Sequence, residues 1–434
     1  MTGGDATSGD RDASKSVMLP SLPPAGLYIH VPFCVSLCPY CDFVVYAGAA
    51  ARGRRSRVST FVEALLTEIG LRADALDERF GPPASSGAAS GPGTRPPLAT
   101  VYLGGGTPSL LPSDVVAELL ALVRERFGLD ADAEITIEAN PGGDERGDPA
   151  ALRAAGITRI SFGAQSFNPL ELARLGRRHR VRETVEAVAG AREAGIGSIN
   201  LDLLYDVPGG SLETWMDSLE LALSVSPDHL SLYGLTLDDP DAEGLTGPNG
   251  DHLPVRKGAR RWRADAQADQ DEDRAAAEYH HAVHRLAADG WRAYEISNWA
   301  RPGHESRHNL AYWERLPYEA VGPGAHAFDG TIRRWNAARF DAYLAALSPG
   351  DGGQPRLPPG GSEIVDAKVA ASERVILGLR TDRGVPRSTA VEQPLADWFG
   401  WALAAELLAL TGDDRIVLTT RGRLLSNELF ARLV

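Results

Sequence analysis

Three cysteines, Cys34, Cys38 and Cys41, stand within eight residues, and the 434-residue chain contains no others. An odd count packed this tightly makes no disulfide framework; it points to a reducing compartment and to thiolates acting as ligands. With C-x3-C-x2-C spacing, three thiolates can hold three corners of a [4Fe–4S] cluster. The fourth iron keeps an open position for a small chelating molecule. On these residues alone two other chemistries stay open: buried thiols acting as small hydrophobes, and a zinc site completed by His30.

Other groups could serve such a centre. Gly104-Gly105-Gly106-Thr107-Pro108 offers backbone that a ligand can approach closely. Glu138, Gln165 and Asp202 each stand at or just past the end of an expected strand, with oxygens and an amide suited to hydroxyl and amino groups. Farther on come His308-Asn309-Leu310-Ala311-Tyr312-Trp313 and His326. An imidazole is a common axial ligand of heme iron, and Tyr and Trp offer faces on which a porphyrin can stack.

Elements must bring these groups together. Strands are expected at Leu27–Val31, Thr100–Leu103, Ala133–Ala139, Thr158–Phe162, Ser198–Leu203 and Leu230–Leu232. Helical patterns lie between them at 58–79, 112–127, 149–155, 168–194 and 212–225. This alternation argues for parallel βαβ units with right-handed crossovers. Cysteines on the loop after the first strand would then sit on the functional rim of a parallel β/α barrel. A helix over 275–289 and a strand over Ala293–Ile296 follow. The expected division is a disordered extension over 1–26, a barrel with the histidine motif over 27–348, a linker over 349–361, and a mixed α/β, winged-helix-like domain over 362–434. In that last domain helices are expected at 363–380 and 395–410 and a hairpin strand at Ile416–Thr420. Gly81–Pro97, rich in Gly, Pro, Ala and Ser, reads as a flexible surface insertion.

C-x3-C-x-Tyr40-C after an opening strand resembles the radical S-adenosylmethionine (SAM) superfamily. The longer string from Tyr28 to Phe43 resembles the branch holding coproporphyrinogen dehydrogenase-like proteins and the HemW heme chaperones. That resemblance continues through Gly104–Pro108, Ile137–Pro141, Ser161–Ser166, Leu175–Arg177, Asn200–Leu203, Tyr294–Asn298, His308–Trp313 and Leu424–Glu428. It implies an α/β fold: a partial (β/α)6 barrel followed by a smaller C-terminal domain. It implies a [4Fe–4S] cluster on Cys34, Cys38 and Cys41, and SAM held by Tyr28, Tyr40, Gly105, Gly106, Thr107, Glu138, Gln165, Arg177 and Asp202. Heme is implied near His308, Tyr312, Trp313 and His326, on the rim above the barrel. The dehydrogenase branch carries a fourth cysteine two positions after the third; here Cys41-Asp42-Phe43 follows the chaperone pattern instead. The resemblance therefore implies delivery of heme to acceptor proteins, with coproporphyrinogen III dehydrogenase as the alternative. Asp206 departs from the pattern, standing where glycine is usual.

A formal net charge of −14 argues against broad electrostatic binding to nucleic acid or an anionic membrane. No run approaches the roughly 18 apolar residues of a membrane span, and residues 1–26 lack the apolar stretch of a secretory signal. The expected location is cytoplasmic, with peripheral membrane contact left open. The runs Arg52, Arg54, Arg55, Arg57 and Asp265 to Asp273 read as solvated surface.

Overall fold

The structure is a computed structural model that describes residues 21–54, 56–84, 91–348, 350, 353–391, 393 and 395–433. The expected disordered extension lies outside the described residues over 1–20, as does 85–90 of the expected flexible insertion.

Six strands carry the frame: β1 (Gly26–Val31), β2 (Leu98–Gly105), β3 (Leu129–Ala139), β4 (Arg159–Gln165), β5 (Ser198–Tyr205) and β6 (His229–Gly234). They pair in parallel in chain order. The sheet grows on both sides through β7 (Arg292–Ala293), β8 (Asn298–Ala300), β9 (Tyr318–Val321), β10 (His326–Phe328), β11 (Ile332–Asn336) and β12 (Gly360–Ile364). The order across it is β12-β11-β10-β9-β1-β2-β3-β4-β5-β6-β8-β7, an open sheet curled into a partial barrel. Period-2 alternation decides what faces where. Leu27, Ile29, Val101, Leu103, Ile137, Ile160, Leu201 and Leu230 are buried in one core beneath the helices. Their neighbours Tyr28, His30, Thr100, Tyr102, Glu138, Ser161, Asn200 and Asp202 turn to the other face and line a polar lumen.

The segment 304–313 closes the N-terminal end of this lumen. Ser198 Oγ lies 3.2 Å from His304 Nδ1, Arg159 Nη1 donates to His304 O at 2.8 Å, and His308 N donates to Glu134 Oε1 at 3.0 Å. Arg307–Trp313 is a short helix capped by Ser306 Oγ.

Four expected elements differ. The helix over 168–194 is two, Pro169–Arg174 and Val181–Glu193; Gly176 takes a left-handed φ of 68° between them, which stops the first helix. The strand over 293–296 is not continuous, because Glu295 leaves the sheet to bridge Thr381 of the C-terminal unit. The helix over 395–410 ends at Ala404, and Leu408–Leu410 is a strand paired with Arg415–Leu418. The expected connector 349–361 ends inside β12, where Gly360 and Gly361 pair with Asn336 and Trp335. The insertion is also anchored at its described end: Arg95, 2% exposed, is ion-paired with Asp77 and donates to Gly81 O and Arg126 O. The C-terminal unit has its own core, including Val375, Leu379, Phe399, Leu407, Ile416 and Phe430, into which Ile296 also packs.

Candidate functional site

The loop after β1 is tied at its neck. Phe33–Cys34 pairs in parallel with Tyr46–Ala47, Tyr46 N donates to Pro32 O at 2.6 Å, and Thr107 N donates to Phe33 O at 2.7 Å. The loop between carries the three cysteines, all free and partly exposed. Each sulfur has a donor: Thr107 Oγ1 to Cys34 at 3.5 Å, Arg177 Nη1 to Cys38 at 3.4 Å, and the Phe43 N–H to Cys41. Burial pushes the Cys34 thiol up to about 11 and raises Cys41 further, so thiolates here need positive charge beside them. Sulfurs that already accept hydrogen bonds suit thiolate ligands of iron.

The zinc alternative fits less well. His30 is engaged through both nitrogens, Nδ1 with Tyr28 Oη at 3.0 Å and Nε2 with Val44 O at 2.8 Å. Among the described residues no three His, Cys, Asp or Glu side chains are gathered to hold a single metal ion. A cubane makes a different demand, since each thiolate binds its own iron.

Above the neck, the lumen groups form three hydrogen-bonded clusters. Arg177 Nη2 donates to Gly163 O at 2.8 Å and to Asn140 Oδ1, while Asn140 Nδ2 donates to Thr107 Oγ1 at 3.0 Å. Glu138 accepts from Tyr102 Oη at 2.8 Å and from Gly105 N at 2.9 Å. Burial, helped by the charge of Asp202, pushes its carboxyl up to about 7. Asp202 accepts from Ser161 Oγ at 3.0 Å and Asn200 Nδ2 at 2.7 Å, and burial raises its pKa too. Both carboxylates keep acceptor capacity to spare. Gln165 holds a φ of 65° at the end of β4, and its amide turns back toward Gly163. Tyr28 stacks on Tyr102 with centroids 6.2 Å apart.

The glycine loop has a packing reason that the sequence did not suggest. A Cβ on Gly105 (φ 108°) would lie 2.4 Å from His30 Cε1, and one on Gly106 2.6 Å from Phe33 O. Two further residues escaped sequence reasoning. Asn140 links Thr107 to Arg177 and stands inside a motif already singled out. Arg263, from the helix Lys257–Asp269, donates to three carbonyls of the cysteine loop: Pro39 O at 3.1 Å, Tyr40 O at 2.9 Å and Cys41 O at 3.2 Å. The Tyr40 ring lies against Trp262. A cavity of ≈ 400 Å³ opens beside this loop, lined by Cys38, Cys41, Phe43, Leu253, Val255 and Arg263 among others.

The histidine motif is not on this rim. His308 is 2% exposed at the opposite, N-terminal end of the barrel, Nδ1 bonded to Thr100 Oγ1 at 2.7 Å and Nε2 to Tyr312 Oη at 2.8 Å. Burial lowers its pKa to about 3. Trp313 lies beneath the Arg380 guanidinium, 4.7 Å from ring centroid to charge. The rim position expected for His308, Tyr312 and Trp313 is therefore corrected: their contacts are with the strand beginnings and the C-terminal unit. His326 does sit on the rim side, its ring stacked on Trp335 and its Nε2 2.8 Å from Asp251 Oδ2.

Residues 89–222 match the family model described as the radical SAM superfamily. The chain is 37% identical over 413 residues to the heme chaperone HemW of Mycobacterium tuberculosis, covering 95% of each. It is 37% identical over 322 residues to the heme chaperone HemW of Escherichia coli, covering 73% of this chain and 75% of that protein. Among solved structures it is similar to coproporphyrinogen III oxidase (HemN) from Escherichia coli, with a TM-score of 0.73 over 95% of this chain and 90% of that one. Identity there is 23%, a likeness of fold.

Proposed function

The chain belongs to the HemW heme chaperone family within the radical SAM superfamily, and from that premise we propose that it binds a [4Fe–4S] cluster, SAM and heme and delivers heme to acceptor proteins in the cytoplasm. Cys34, Cys38 and Cys41 would hold the cluster, with Thr107, Arg177 and the Phe43 amide steadying their sulfurs. The bound cluster would supply an open iron and one-electron chemistry. Tyr28, Glu138 and Asp202 in the lumen, with Gln165 and Arg177 at its edge, would orient the hydroxyl and amino groups of SAM, and the Tyr40 backbone would complete the pocket with the Gly105-Gly106-Thr107 turn. Heme and a heme-accepting protein are the partners this reading requires; nucleic acid is not among them.

The observation that carries the reading is the full-length likeness to a heme chaperone, joined to Cys41-Asp42-Phe43 in a chain without a fourth cysteine. The fold likeness to HemN carries no activity at that identity. Anaerobic reconstitution followed by iron counting and ferric heme titration tests the reading. The wild type should take up a full cubane per chain and bind heme, and Cys34→Ala, Cys38→Ala and Cys41→Ala should each lose the cluster's visible absorption. A cysteine variant with full iron content removes the cluster assignment; a wild type without heme affinity removes the chaperone.

A further inference from the structure

Asp251 holds two imidazoles at once on the cluster side of the barrel. His252 Nδ1 lies 3.0 Å from Asp251 Oδ1, and His326 Nε2 lies 2.8 Å from Asp251 Oδ2. A carboxylate that takes one ring N–H fixes the tautomer and leaves the other nitrogen's lone pair outward, the arrangement that orients metal-binding imidazoles. For His252 the outward atom is Nε2; for His326 it is Nδ1. The two side chains are 31% and 37% exposed, unlike His30, His229 and His308, which are buried with both nitrogens engaged.

Two imidazoles and one carboxylate already spent on them are too few for a protein-bound metal ion, and no three-ligand group exists among the described residues. Heme asks for less, because the macrocycle fills four positions and the protein need supply only one axial ligand. The surroundings suit a macrocycle. His252 is outside the lining of the ≈ 400 Å³ cavity beside the cysteine loop but leads directly into Leu253, Pro254 and Val255, which form one wall of it; Phe43 lines it as well and is 62% exposed. Arg256 follows on the same wall, exposed, a cation of the kind that pairs with carboxylates. His326 stacks on Trp335 with centroids 5.9 Å apart. Asp42 and Glu243 are the other charged side chains that His252 feels.

We infer that His252, oriented by Asp251 and backed by His326, is the axial ligand of heme iron, with the macrocycle seated against the Phe43 and Leu253–Val255 wall next to the cluster loop. This rests on the heme-chaperone reading and moves its heme away from His308. The test is ferric heme titrated into the reconstituted full-length wild type and into His252→Ala, His252→Asn and Asp251→Asn. Both His252 variants should lose the imidazole-ligated Soret band while keeping the cluster absorption, and added free imidazole should restore it. Asp251→Asn should bind heme roughly tenfold more weakly. Unchanged Soret position and affinity in the His252 variants, with heme bound by the wild type, overturns the ligand assignment. A wild type that takes no heme overturns the functional reading beneath it instead.

Discussion

His308 Nδ1 lies 2.7 Å from Thr100 Oγ1, near the start of β2 and at the opposite end of the lumen from the cysteines. With Tyr312 on its other nitrogen, the ring works as a neutral plug for the barrel floor. His308→Ala should cost about 3 kcal/mol, from the cavity and the two orphaned hydroxyls, and should leave the Soret band of bound heme in place. Its folded pKa is lowered to about 3 by burial, against about 6.5 for an unfolded imidazole. The folded chain thus binds fewer protons, and this contribution to stability, complete above pH 6.5, falls as pH drops toward 3. His30 and His179, each lowered to about 4 chiefly by burial, add the same slope to both proteins and cancel in a comparison. The stability gap between wild type and His308→Gln, measured by denaturant titration, should narrow on acidification; a constant gap contradicts the plug.

Arg263 should govern how long the cysteine loop keeps its iron. Its guanidinium meets three carbonyls of that loop, and hydrogen bonds from a charged donor contribute about 1.5–3 kcal/mol. Arg263→Met keeps much of the stem but none of the donors. Cluster loss to a chelator should be faster in this variant by more than its fall in global stability accounts for. Equal rates in both proteins would reduce Arg263 to a packing residue.

Asp202 is held by Ser161 and Asn200 with its remaining acceptor capacity facing the lumen. Removing one hydrogen bond to a charged group costs about 1.5–3 kcal/mol, so Asp202→Ala should weaken SAM binding roughly tenfold to hundredfold. Calorimetry on the reconstituted protein reads this directly, and an unchanged affinity takes Asp202 out of the SAM site.

The strands of the barrel were legible because their two faces obey different rules. Leu27 and Ile29 meet helices while Tyr28 and His30 meet the lumen, and that alternation is local. Glu138 and Asp202 were legible for the same reason, as polar residues near strand ends. What stayed hidden depends on contacts distant in sequence. His308 and Thr100 are 208 residues apart, so nothing near the motif says that it closes the floor. Arg263 is 224 residues from Pro39 and lies in a helix whose charged composition reads as surface. Asp206 shows a third case. It keeps a left-handed φ of 54° where glycine was expected, held by Arg274 Nε at 2.9 Å and by its own N–H on Glu278 Oε2 at 2.7 Å.

Whether this protein carries heme or makes a heme precursor is tested most directly by one assay. Coproporphyrinogen III, SAM, a low-potential one-electron reductant and an electron acceptor are given to one portion of the anaerobically reconstituted chain, and ferric heme is titrated into a second portion of the same preparation. An intact cluster, a heme Soret band and no protoporphyrinogen IX are the expected result. Conversion at an ordinary enzymatic rate, about 1 s⁻¹ or more, would contradict it and make the chain a dehydrogenase.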